Sequence, residues 1–479
     1  MRISQSILYN CKLWPNRPAI ILSDRVLTYA MLAQGVQALA AALVREGVEP
    51  GMRVPSMIGS PSWQLMTVLA LSELGATSAP LQNLDAARNS GIAFDRIVLA
   101  KAPPEQLPYK TSVITDDWFR TEPLPKEWLR GTDAGALAQI SFSSGTTGRP
   151  KAIGYTHANL IDRIRADAAM HPAFGHERTL LLMGLSTHFG SRVALSVLMH
   201  GKTLVFGPNS EASVQMANLY GIDALVGSNV QVANFAEVAF KTGMPLPSLR
   251  RAYFGGSLVT TRLLSTVSRQ LPCEVVFGYG SSETGAIAVG TMRQAQAGDG
   301  VCGYVLPGVE LEIVDDDDQP LPLGSEGLVR TRARSGQAQP VREGLTTGAD
   351  FDEGGWHYPG DVGRLQPDGV LVLSGRTDEV LNLGGRKLAP EPYDEALKTA
   401  PGIVDGAVVQ MEGQRGLFEV WAAVVAGPDY DQDQLLVWAS QTFPALRLSR
   451  VVVVPQIPRT SIGKVSRAAL KQRLEQAGN

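Results

Sequence analysis

At 479 residues the chain is longer than one ordinary domain and implies at least two folded units. Its 43 Lys and Arg against 46 Asp and Glu leave a formal net charge of −3, so no strong field draws it to nucleic acid or to an anionic membrane surface. No run of about 18 apolar residues offers a membrane span, and the three scattered cysteines, Cys11, Cys273 and Cys302, have no C-x-x-C pairing; they read as small apolar residues of a protein in a reducing, cytoplasmic compartment.

In chain order, Leu32, Val36, Leu39 and Leu43 recur at helical spacing, with Thr28 placed to cap the helix and Gly47 to end it. Two further units repeat the pattern: "SWQLMTVLALSELGA" before "TSAPL", and "SRVALSVLMHG" before "KTLVFG", each an apolar-striped helix, a small-residue break and a β-prone run. Alternating helices and strands predict a layered α/β architecture. After about residue 300, "GVELEIV", "GLVRTRAR" and "GVLVLSG" read as short strands between Gly, Pro and Asp turns, a small barrel or meander closing the large domain. The acidic run Asp315 to Asp318 reads as a hairpin turn, because a calcium loop needs ligands spread over about a dozen residues. Beyond "SGRTDEV" the segments "PEPYDEALKT", "DGAVVQM", "LFEVWAAVVAG", "QDQLLVWASQTF" and "RVVVVP" predict a compact α+β unit that ends in a charged helix. The expected fold class is therefore α/β, with a large N-terminal domain of layered α/β subdomains plus a β-rich subdomain, and a small α+β C-terminal domain.

Between the strand pattern "ALAQISF" and "KAIGYT" lies the loop "SSGTTGRPK". Closely spaced backbone N–H groups, the hydroxyls of Ser143, Ser144, Thr146 and Thr147, and the Lys151 cation suit a polyphosphate, and Gly145 and Gly148 allow the backbone to approach it. A Walker A loop opens a helix with its Lys-Ser/Thr, whereas here the lysine begins a strand and the helix starts near Ala158, so a kinase or GTPase is disfavoured. A mobile surface loop remains the plainer alternative for a Gly/Ser/Thr tract.

With this loop, "YFGGSL" (253–258), "GYGSSETG" (278–285), "GWHYPGDVGRLQPDGVLVLSGRTDEVLNLGG" (355–385) and "PRTSIGKVSR" (458–467) follow in order over nearly the whole chain. The set resembles the adenylate-forming superfamily of acyl-CoA synthetases, peptide-synthetase adenylation domains and luciferases. The resemblance implies an N-terminal adenylation domain over residues 1–375, a hinge at 376–380 turning on Asp378, and a mobile lid over 381–479. It implies attack of a carboxylate on the α-phosphorus of ATP, with Mg2+, to give an acyl-adenylate and pyrophosphate. In that scheme Glu283 is the magnesium ligand and Ser282 lies on the α-phosphate. Tyr279 lies against the adenine, supported by Gly255 and Gly256, and Ser257, Gly278, Gly280 and Ser281 complete the nucleotide loops. Asp361 takes the ribose hydroxyls, with Arg376 on the other side, though a turn salt bridge is the plainer reading of that pair. Lys464 bridges the substrate carboxylate and the α-phosphate.

After hinge rotation Gly384 and Gly385 would line a tunnel for a thiol arm. Asn382 and Ala389 depart from the Lys and Glu of some relatives, and "VLNLGGRKL" is closer to the CoA-ligase type. The acid pocket is expected at His188, Phe189, Gly190, Asn229, Gly256, Phe277 and Ala286. His188 is read as a catalytic gate, a buried structural histidine being equally open. Arg192 could meet a second substrate carboxylate, but is read as a helix-surface residue. The acceptor is expected to be coenzyme A, the alternatives being a carrier-protein phosphopantetheine or an amine. The chain ends soon after the lysine motif with no carrier segment, which favours a free-standing ligase, and a homodimer is among the assemblies allowed.

Overall fold

The computed structural model describes residues 1–103, 105–120, 133–143, 151–170, 176–333, 354–376, 381–383, 386–388, 390–412, 418–443, 446, 448–460 and 463–477. Asp378, Gly384, Gly385, Ala389 and the loop 144–150 lie outside these residues.

After a first helix, Ile3–Leu13, the helix Tyr29–Arg45 forms as its caps dictate: Thr28 accepts from Met31 N–H at 3.3 Å at its start, and Gly47 follows its end with φ of 81°. Helices Pro61–Leu74 and His188–Met199 differ from the striped helices the sequence predicts. Both are buried nearly all round, Ser62, Gln64, Thr67 and Ser72 of the one and Ser191, Arg192 and Ser196 of the other included. They lie in an inner layer, packed with Ile3, Leu39, Leu43 and Val54, where no face meets water.

Among the described residues there is a thirteen-stranded sheet, a six-stranded sheet, a three-stranded sheet and a two-stranded pair, Leu381–Leu383 with Arg386–Leu388. In the largest, Arg178–Leu181, Ala224–Ser228, Arg251–Gly255 and Glu274–Ser281 run parallel, so their carboxyl ends share one edge. At Glu274–Ser281 the sheet turns antiparallel and continues through Gly285–Thr291, Val301–Val305, Val370–Arg376, Asp361–Leu365, Gly327–Ala333 and Val309–Val314. The expected β-rich part is thus a meander continuous with the parallel sheet. The run Asp315–Asp318 makes its turn, Asp315 Oδ1 accepting from Asp317 and Gln319 N–H at 3.0 and 2.9 Å.

The six-stranded sheet ends in the antiparallel pair Leu137–Ser143 and Lys151–Thr156, with Ser143 opposite Lys151 across the mouth of the polar loop. From Ile403 onward, Ile403–Glu412, Phe418–Ala426 and Leu448–Val453 form the three-stranded sheet, and its apolar clusters draw only on residues from Leu381 to Leu474. No helix of the described residues is long and apolar enough to cross a membrane. Cys11 and Cys302 are buried and all three thiols are unpaired with one another; burial pushes Cys11 up to about 11 and Cys273 up to about 12, which makes them poor nucleophiles.

Candidate active site

At the carboxyl ends of the parallel strands two glycine loops meet. Gly255 pairs with Gly278 in register, and a Cβ on Gly255 would lie 2.4 Å from the Gly278 carbonyl oxygen. On the next strand a Cβ on Gly278 would lie 1.9 Å from the Tyr253 hydroxyl, so an alanine there cannot be accommodated beside this tyrosine. Asn229, at the start of helix Asn229–Thr242, donates to the carbonyls of Ser257 and Leu258 at 3.3 and 3.0 Å. It therefore pins the loop that carries exposed Gly256 and half-buried Ser257.

The strand Glu274–Ser281 runs on into Ser282-Glu283-Thr284, a tight turn in which Ser281 Oγ accepts from Thr284 N–H at 3.0 Å. Beneath it sits a group the sequence reading passed over. Arg163, 5% exposed, donates to Ser282 O at 2.9 Å and to Glu283 O, while the Tyr155 hydroxyl donates to Ser282 O at 2.7 Å. The guanidinium carbon lies 5.1 Å from the Tyr155 ring centre, and the His188 ring stacks on the same tyrosine at 4.3 Å. This fixes the Glu283 backbone, and the carboxylate lies 3.7 Å from His357 Nε2.

His188 is buried, and desolvation, then the Arg163 charge, push it well below the usual imidazole range. It is a neutral aromatic wall beside Gly190 and half-buried Phe189, whose ring lies 5.6 Å from Tyr253. Arg192, expected on a helix surface, is 5% exposed and lies 5.7 Å from the Phe189 ring. Burial, with Arg163 adding to it, lowers it to about 10. Phe277, expected in the acid pocket, packs with Phe254 and Val275 in a different cluster from Tyr253 and Val276. Side chains alternate along a strand, so Phe277 faces away from His188 and Phe189, and Tyr253 holds the position on their face. Ala286 stays at the rim, opposite Gly280 in register.

Across the antiparallel seam, Tyr279 donates its hydroxyl to Asp361 Oδ2 at 2.5 Å, and Arg376 Nη1 lies 3.8 Å from Asp361 Oδ1. Arg376 also donates to Pro359 O at 3.1 Å. Tyr279 is raised well above the usual phenol range, first by burial and then by the Asp361 carboxylate, so it stays a donor. Register explains the meeting: Asp361 opposes Arg376 in neighbouring strands. His357, 3% exposed, is fixed to Thr331 by reciprocal backbone bonds of 2.8 Å, which aims it at Glu283.

The C-terminal motif reaches the same region. Gly463, with φ of +85°, packs so closely on Val230 that a Cβ would lie 2.7 Å from Val230 Cγ2. Lys464 therefore sits in a hairpin seated on the first turn of the helix that begins with Asn229. The structure brings together Gly255, Gly256, Ser257, Gly278, Tyr279, Gly280, Ser281, Ser282, Glu283, Asp361 and Arg376, with the lysine hairpin beside them. Ser144, Gly145, Thr146, Thr147 and Gly148 lie outside the described residues, as do the side chains of Ser143, Lys151 and Asn382.

The residues missed had one readable signal. Arg163 falls among Leu160, Ile161 and Ile164, inside the apolar face of its helix, where a charge is out of pattern unless it holds something. Tyr155 and His357 carry no such signal, because their roles depend on strand register.

The sequence profile of the AMP-binding enzyme family matches residues 8–336. The chain belongs to that family, within the adenylate-forming superfamily. It is 27% identical over 520 residues to an indoleacetate–CoA ligase of Aromatoleum aromaticum, covering 98% of each chain. It is 26% identical over 517 residues to a fatty acid–[acyl-carrier-protein] ligase, ScoC, of Streptomyces coeruleorubidus, covering 98% of this chain and 96% of that one. The solved o-succinylbenzoate CoA synthetase of Bacillus subtilis, in complex with an acyl-adenylate intermediate, superposes with a TM-score of 0.84 at 19% identity over 97% of both chains. The family member described here is therefore an adenylate-forming ligase by descent and by fold.

Proposed function

We propose that this AMP-binding enzyme activates a carboxylic acid with ATP and passes the acyl group to the thiol of coenzyme A. In the first step a carboxylate oxygen bonds to the α-phosphorus, the bond to the bridging oxygen breaks, and pyrophosphate leaves. In the second the thiol sulfur attacks the acyl carbonyl, its proton passes to solvent, and AMP leaves.

The observation that carries this reading is the seating of the Lys464 hairpin on Val230, next to Asn229, which holds the Ser257 loop. That contact supports the reading of Lys464, on the proposed mobile lid, as a cation offered to the loops proposed to hold nucleotide and acid. Asp361, oriented by Tyr279 and Arg376, is an ionised two-oxygen acceptor suited to the ribose hydroxyls. Magnesium, when bound, offsets charge on the phosphate oxygens. Among the described residues no three His, Cys, Asp or Glu cluster as a metal cage. In this proposal Glu283 would hold the ion, with substrate phosphates supplying further ligands, since Mg2+ keeps water and phosphate oxygens in preference to an all-protein site. Asp378 as hinge, and Gly384 with Gly385 as the thiol tunnel, belong to the same proposal, as do the boundaries at 375 and 381.

The relatives' names divide between coenzyme A and carrier-protein acceptors. The deciding experiment supplies ATP, Mg2+ and a panel of acids with free coenzyme A, a phosphopantetheinylated carrier protein or an amine, and identifies the product by mass spectrometry. The proposal expects a coenzyme A thioester formed at least about tenfold faster than either rival product. Preferential loading of the carrier or the amine would overturn the acceptor and leave the adenylation step standing.

A further inference from the structure

The proposed mechanism asks a lysine on the smaller domain to meet two anions in a cleft built by the larger one. A flexible four-carbon stem does this well only if its backbone is held firmly. Around Lys464 the chain is held at both ends by an arginine anchored to an aspartate.

On the C-terminal side, Arg467 opens the last helix, Arg467–Ala477, and pairs with Asp394, both under 10% exposed. Asp394 also accepts from Val408 N–H at 2.7 Å, which ties the pair to the strand Ile403–Glu412 of that domain's core. This buried pair is a foundation, and removing either partner would strand a buried charge and threaten the fold.

On the N-terminal side the arrangement is more exposed and more specific. Arg459 Nη1 donates to Gly463 O at 3.0 Å while Nη2 donates to both Asp405 carboxylate oxygens at 2.7 and 2.9 Å. Asp405 is itself held in place by Gly406 N–H at 2.9 Å. Arg459 and Val465 form a β-bridge, Thr460 N–H donates to Lys464 O at 2.7 Å, and Lys464 N–H donates to Thr460 Oγ1 at 3.2 Å. A single guanidinium thus ties the carbonyl immediately before Lys464 to a strand of the domain core. Its side chain is 29% exposed and that of Asp405 25%, so as a simple surface ion pair it would contribute little to stability.

We infer that Arg459, braced by Asp405, is a positioning residue for the adenylation step: it closes the hairpin that presents Lys464 to the cleft. The inference rests on the proposed role of Lys464 as the adenylating cation. Lysine at 459 could reach Asp405 or the Gly463 carbonyl, but a point charge cannot span both as a planar fork does.

The test is steady-state ATP–pyrophosphate exchange on the full chain with an acid that supports it in the wild type. Arg459→Ala and Asp405→Ala are each expected to lower kcat about tenfold or more, the scale of a small misplacement of a reacting group. The KM values for ATP and acid should stay within about twofold and the melting temperature within a few degrees. The double variant should be no slower than the slower single one, because both act through one contact. Arg459→Lys should recover part of the loss. The inference is overturned if Arg459→Ala stays within about threefold of wild-type kcat, if the two losses multiply, or if KM, kcat and melting temperature all shift together. Lys464→Ala run in parallel separates the two ideas: should it exchange like wild type, the adenylating role of Lys464 fails. If it is inactive while Arg459→Ala is near normal, only the positioning role fails.

Discussion

Lys464→Ala is expected to cut acid-dependent ATP–pyrophosphate exchange by about a hundredfold to a thousandfold. The carboxylate of the acid and the oxygens of the α-phosphate must approach to bonding distance. Two unit charges about 4 Å apart at an effective dielectric near 20 repel by about 4 kcal/mol, close to a thousandfold in rate. A cation placed between them cancels most of that, and Lys464, whose hairpin is seated on Val230, is the cation proposed for that place. Arginine should not substitute, since its planar fork is bulkier than a compact ammonium. Thioester formation from separately supplied acyl-adenylate should survive in the same variant, because the repulsion has already been overcome in making that substrate. Equal loss in both half-reactions would count against the assignment.

Glu283→Gln should produce the second large effect, seen as a changed need for magnesium. The side chain keeps its size, and the bonds from Arg163 and Tyr155 go to backbone carbonyls of Ser282 and Glu283, so the turn should hold its shape. What is lost is the negative charge, and with it the preference of a hard cation for that oxygen. Exchange measured against MgCl2 should require about tenfold or more magnesium for half its maximum, with kcat lowered by a further tenfold to hundredfold, as expected for weaker stabilisation of charge in the transition state. An unchanged magnesium curve would remove Glu283 from the metal site.

Local signals served well where local chemistry decides structure. Thr28 and Gly47 bound the helix Tyr29–Arg45 because a hydroxyl cap and a left-handed glycine act within a few residues. The acidic run forms its turn for the same reason. Layering was harder to read: the helix Pro61–Leu74 shows Ser, Gln and Thr at positions that look solvent-facing, yet they are buried because other elements cover the helix on every side. Arg192 was misread for that reason, its neighbours in sequence giving no sign of the covering layer. Phe277 shows a subtler limit. Its place beside a motif glycine is visible in the sequence, but the face it occupies depends on the strand phase, and one residue separates the core from the pocket side.

The motif residues themselves were legible as an ordered set, and folding brings Tyr279, Asp361 and Arg376 into contact. Their supports were not. Tyr155 and Arg163 come from the hairpin and helix after the polar loop, and His357 from a β-bridge with Thr331, so each reaches Ser282 or Glu283 only through tertiary register.

The most direct measurement follows oxygen. Acid labelled with 18O in its carboxylate is incubated with enzyme, ATP, Mg2+ and acceptor, and the products are weighed by mass spectrometry. If the carboxylate attacks the α-phosphorus, each AMP released carries one labelled oxygen and the pyrophosphate carries none. Label in inorganic phosphate together with ADP, or AMP without label, would contradict the account.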